Sequence, residues 1–149
     1  MSKTSTSQGL QPQPWDWPHP RVLLEVPPRQ DADARIDALR RAGYAVAVCP
    51  GPAAPGRCPL TGDDGCAAAH GADIVVSSLG LKEEQARDAL ATLRLRLPHL
   101  PVLVETDAEL ASRWPDLVLD GTRVEPGIAA PELVERVKRA LSEEAIAGA

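Results

Sequence analysis

The chain predicts an α/β domain, a single doubly wound, five-stranded parallel sheet with helices on both faces. Three observations predict it. Short, almost wholly apolar runs of strand length alternate with longer segments of helical periodicity. The runs are apolar without alternation, as strands covered on both faces are. Proline and glycine punctuate the joints between segments. The 149 residues are 44% hydrophobic, enough for one core, and with no phenylalanine that core has to be built from Val, Leu, Ile and Ala.

Residues 1–20 are rich in Ser, Thr, Gln and Pro and read as a flexible amino-terminal tail. Its end, Trp15-Asp16-Trp17-Pro18-His19-Pro20, differs from the rest, because two tryptophans suit docking on the domain's own surface or on a partner. The α/β domain then spans residues 21–145. Arg21 to Val26 reads as the first strand, stopped by Pro27 and Pro28. Asp31 or Asp33 caps a helix to Ala42 that turns Ile36 and Leu39 inward, and Gly43 ends it. Tyr44 to Cys49 is the second strand. A long segment of Gly, Pro and Ala follows, within a cysteine-containing loop over 49–70, and a short helix over Cys66 to His70 stops at Gly71.

Asp73 to Ser78 is the third strand. Glu83 to Leu97 carries the clearest helical stripe, Ala86, Leu90, Leu93 and Leu97. Val102 to Glu105 is the fourth strand, and Ala108 to Trp114 a short helix. Leu117 to Leu119 or Thr122 to Glu125 supplies the fifth strand. The last helix runs from Pro131 to about Ala145, with Leu133, Val137 and Leu141 inward.

In such a sheet chemistry gathers at the carboxyl ends of the strands. By this reading those ends carry Glu25, Cys49, Ser78 and Thr106. One carboxylate, one thiol and two hydroxyls suit neither magnesium nor phosphoryl chemistry. Ser78 lacks an adjacent base, no base–nucleophile pair can be assembled from the strand ends, and the reading is non-enzymatic. His19 and His99, each beside prolines, read as loop residues. The net charge of −5 argues against nucleic-acid binding, and no run approaches a membrane span or a signal peptide. The expectation is a cytoplasmic protein with no nucleic-acid or membrane partner.

The order of elements resembles the receiver domain of bacterial response regulators, over roughly Arg21 to Leu141, a flavodoxin-like fold with strand order 2-1-3-4-5. VLLEV at 22–26 looks like the family's first strand, with Glu25 at the first acidic position and Val26 replacing the second acid. DIVVSSL at 73–79 is similar to the third strand, with Ser78 at the phosphoacceptor position. PVLVET at 101–106 places Thr106 on the switch hydroxyl. Glu125-Pro126 resembles the Lys-Pro step with an acid for the lysine, and PELVERVKRAL at 131–141 matches the final helix. The resemblance implies a degenerate receiver that is not phosphorylated on aspartate. It would act as a regulatory or adaptor domain, by binding a protein partner or by dimerising through its last helix and strand.

The cysteines carry the alternative. Cys49-x8-Cys58-x7-Cys66-x3-His70 offers four soft or borderline ligands, and Cys66 and His70 are spaced i, i+4. Such a set would hold zinc or complete an iron–sulfur cluster, or its thiols would act as a redox switch. The plain alternative is three unrelated cysteines with no cofactor, since the tight C-x2–4-C pair usual in structural zinc sites is missing.

Overall fold

The computed structural model describes residues 19–27, 30–50 and 67–148. Among them, strands β1 (Arg21–Glu25), β2 (Ala45–Cys49), β3 (Ile74–Ser77), β4 (Val102–Glu105) and β5 (Arg123–Val124) form one parallel sheet in the order β2-β1-β3-β4-β5. Helices α1 (Asp33–Arg41), α2 (Ala67–Gly71), α3 (Glu84–Arg96), α4 (Ala108–Arg113) and α5 (Ala130–Gly148) connect the strands and follow the last one.

Side chains alternate across each strand, so each face of the sheet collects its own core. Val22, Leu24, Ile74, Val76 and Leu103 point one way, onto Leu39 of α1 and Leu133 and Val137 of α5. Leu23, Val75, Val102 and Val104 point the other way, onto Leu90 and Leu93 of α3 and Ala69 of α2. The central strands are therefore buried on both faces, which is why their sequences are apolar without alternation.

Element ends follow local chemistry. The Asp31 carboxylate accepts from the Asp33 amide at the start of α1, and Gly43, at φ +99°, reverses the chain after it. Asp107 caps α4, its Oδ1 accepting from the Leu110 amide. The two options for the fifth strand resolve to Arg123–Val124. Leu117 and Val118 both donate to the Trp114 carbonyl, so residues 117–119 are spent in turns after α4 and cannot join a ladder. The third strand's ladder extends past its nominal end, with the Ser78 amide donating to the Glu25 carbonyl at 2.7 Å.

Leu93 is 1% exposed, facing the sheet from α3. Leu93→Ala is expected to cost about 2–5 kcal/mol in chemical denaturation, as buried leucine truncations do. A loss below about 0.5 kcal/mol, the size of a surface change, would contradict this packing.

Candidate functional site

The polar groups that the sheet cannot bury pairwise meet at its carboxyl edge. β3 and β4 are in register with Ser77 opposite Val104, which sets Ser78 level with Glu105. Both lie on the α1/α5 face, two residues beyond Val76 and Leu103. Arg35 stands one turn before the buried Leu39 on α1, and i, i+4 spacing lays it over the same face.

There Arg35 grips Glu105 as a two-pronged fork. Nη1 donates to Oε1 at 2.7 Å and Nη2 to Oε2 at 2.8 Å. The Ser78 hydroxyl donates to Oε1 at 2.6 Å, and the Gly127 amide donates to Oε2 at 2.7 Å. Gly127 sits at φ +75°, a left-handed turn that aims its N–H back at the sheet. Arg35 also reaches the Ile128 carbonyl at 3.4 Å. Each carboxylate oxygen thus has two donors, and the fork joins α1, β3, β4 and the turn before α5.

Arg35 and Glu105 expose only 11% and 9% of their side chains. Burial alone would push Glu105 up. The hydrogen bonds from Arg35, Ser78 and Gly127, with the Arg35 charge, outweigh it and hold the carboxyl below the usual glutamate range. The bond to Glu105 likewise raises Arg35, so both groups stay charged.

The opposite face of the same edge is different. Glu25 and Ser77 point to the α3 side, and Glu25 is 7% exposed. Burial pushes its carboxyl up to about 7, while a hydrogen bond with the Ser77 side chain pulls the other way. The Thr106 hydroxyl is buried and finds no hydrogen-bond partner among the described residues.

No protein-family model matches the chain, and no curated protein matches it. Solved structures do. A response regulator receiver domain protein (CheY-like) from Methanospirillum hungatei JF-1 superposes with a TM-score of 0.62 at 14% identity, over 85% of this chain and 96% of that one. A response regulator receiver protein from Sinorhizobium medicae WSM419 gives 0.60 at 16% identity, over 87% and 99%. A response regulator from Thermotoga maritima gives 0.57 at 18% identity, over 83% and 98%. The chain has the receiver fold.

On the receiver fold, the positions singled out in the sequence separate. Glu25, Ser78 and Thr106 do stand at the carboxyl edge, but Ser78 faces the α1 side and Glu25 the α3 side. Glu125, expected where receivers carry lysine, points outward, 69% exposed, and pairs with Arg123 at 2.6 Å. Ser78, expected to lack an adjacent base, has a carboxylate beside it, Glu105, which accepts from its hydroxyl and is itself held by Arg35. Glu105 ends an apolar strand and Arg35 shares its helix with Arg40 and Arg41, so neither stands out in the sequence. Strand parity was the available signal: Glu105 shares a face with Leu103, as Ser78 does with Val76.

Of the four sulfur and nitrogen candidates, Cys49 and His70 fall among the described residues. Cys58 and Cys66 lie outside the described residues. Cys49 ends β2 level with Glu25, half-buried against the α3-side core. His70 is exposed and lines a groove at the opposite, amino edge with Asp73. Asp73 is level with Arg21, four residues before Glu25, which puts the two levels about 13 Å apart along the strands. His70 therefore does not share an edge with Cys49. Among the described residues, no three His, Cys, Asp or Glu side chains converge as a metal site.

Removing Arg35 alone strands a buried carboxylate. Arg35→Ala is expected to destabilise by about 3–5 kcal/mol, and adding Glu105→Gln should recover part of the loss. Denaturation of the three variants checks this. A loss under about 1 kcal/mol would mean the pair is screened like a surface bridge.

Glu25 sets a pH dependence of the opposite sign to Glu105. Its folded value, about 7, lies above the ordinary 4.5, so the folded state holds a proton that the unfolded chain releases. Stability should fall as pH rises from about 4.5 to about 7 and level off above, by an amount of the order of 3 kcal/mol at most. Glu25→Gln should remove that slope. Denaturant midpoints at pH 5 and pH 8 that move in parallel for both proteins would contradict it. The Glu105 contribution is complete above the ordinary glutamate value and is lost only on acidification through its depressed folded value.

Proposed function

We propose that this chain is a receiver-like regulatory domain that is not phosphorylated on aspartate and works through protein–protein contacts. One observation carries the reading: the Arg35–Glu105 fork, closed by Ser78 and Gly127, occupies the edge where phosphoryl chemistry would be done.

Three features support it. The residue expected at the acceptor position is a serine whose hydroxyl already donates to a carboxylate held ionised by arginine. For Glu105 to take a proton from Ser78 it would have to weaken its bond to Arg35, which makes it a poor general base. The donor set also does not fit magnesium, a hard cation that prefers open carboxylate oxygens. Glu105 has both oxygens engaged, and Glu25 is driven towards its neutral form by burial.

A charge pair built into the fold takes the place of a phosphoryl group that comes and goes. Such a domain would present one surface continuously, to a partner protein or to a second copy through its last helix and strand. Among the described residues no helix is long and apolar enough to cross a membrane.

Small phosphodonors with magnesium are expected to leave the protein's mass unchanged. A stable, magnesium-dependent adduct of phosphate or beryllofluoride mapped to Ser78 or its neighbours would overturn the proposal.

A further inference from the structure

A groove of about 410 Å³ opens at the amino edge of β3 and β4, at the end of the molecule away from the Arg35–Glu105 site. Leu97, Pro98 and Pro101 give it an apolar wall, and the exposed Arg96 stands on its rim with His99. Its volume lies in the range of pockets that take a small ligand or an aromatic side chain, roughly 300–1,000 Å³. We propose that the chain's own amino-terminal segment fills this groove in cis, with Trp15 and Trp17 against the proline wall and Asp16 facing Arg96.

The tether makes the first argument. The Arg21 amide donates to the Asp73 carboxylate at 2.7 Å, and Asp73 is itself part of the groove lining. The Arg21 guanidinium donates to the Gly71 carbonyl on the same side. The chain before β1 thus starts at the groove's own wall. Trp17 lies four residues before Arg21 and Trp15 six, a reach of at most about 14 and 21 Å. A contact too weak to form between separate molecules becomes favourable at the high effective concentration that so short a tether imposes.

Chemical fit makes the second. Tryptophan is a large apolar body with one N–H, and burying it against proline and leucine removes about 150–250 Å² from water. Asp16 is the sole acidic residue among the first 20. Arg96 forms no ion pair among the described residues. The Asp73 carboxylate, already engaged by the Arg21 amide, faces the start of β1. An aromatic–acid–aromatic segment therefore meets an apolar groove with a cation on its rim.

Trp114→Phe in the full chain leaves Trp15 and Trp17 as the only indoles. Their emission and acrylamide quenching are then compared with those of a peptide of residues 10–20. The expected result is emission at shorter wavelength and severalfold weaker quenching than in the peptide, independent of protein concentration. Arg96→Glu, at an exposed position, should return the indoles towards peptide behaviour, and Asp16→Lys in the same chain should restore protection. Peptide-like quenching in the full chain would overturn the proposal. So would protection that Arg96→Glu leaves untouched. Protection that appears only as concentration rises, with a dimer by gel filtration, would assign the groove to a second copy and overturn docking in cis.

Discussion

A parallel sheet covered by helices on both faces leaves polar groups only the strand ends, and everything distinctive in this protein follows from how those ends are filled. β1, β3 and β4 present Val, Leu and Ile to two separate cores. Their amide ladders satisfy the backbone, so the interior tolerates no unpaired charge. A carboxylate placed one step from that interior has to be neutralised inside the protein. Arg35 does this for Glu105, with a planar fork that matches both oxygens. Glu25 has no cation of that kind among the described residues, and burial raises its pKa instead.

These two carboxylates share an edge and differ in face, and the difference decides their chemistry. On the α1/α5 side, charge is kept and locked, and the lock ties two strands, a helix and a turn into one unit. On the α3 side, burial favours the neutral form, and the buried Thr106 hydroxyl nearby on the sheet has no partner among the described residues. An ion pair of this kind need not add net stability over a well-packed apolar pair. It does make the arrangement all-or-none, because losing either partner leaves a buried charge.

The two edges of the sheet are chemically unlike. At the carboxyl edge both oxygens of Glu105 are engaged by internal bonds. The amino edge keeps an open groove with an exposed arginine beside proline and leucine. The first strand begins at that groove, gripping its wall through the Arg21 amide.

Much of this protein could be read from its residues alone. Apolar runs, helical stripes such as Leu90 and Leu93, and the stops at Gly43 and Pro27–Pro28 depend on periodicity and local conformational preference, which act over a few residues. They were enough for the element order, the strand order through a family resemblance, and the inward faces of α1, α3 and α5. The fifth strand stayed ambiguous because its two residues carry too little pattern, and turn hydrogen bonds to Trp114 decided it. The site needed the fold. Arg35 is 43 residues from Ser78 and 70 from Glu105, and only the β3–β4 register and the crossover of α1 bring the three together. Cys49 and His70, 21 positions apart in the chain, likewise stand at opposite edges, Cys49 at the end of β2 and His70 in α2 just before β3 begins. Spacing along a chain limits which residues can meet. Parallel crossovers decide which ones do, because each carries the chain the full length of the sheet before it returns.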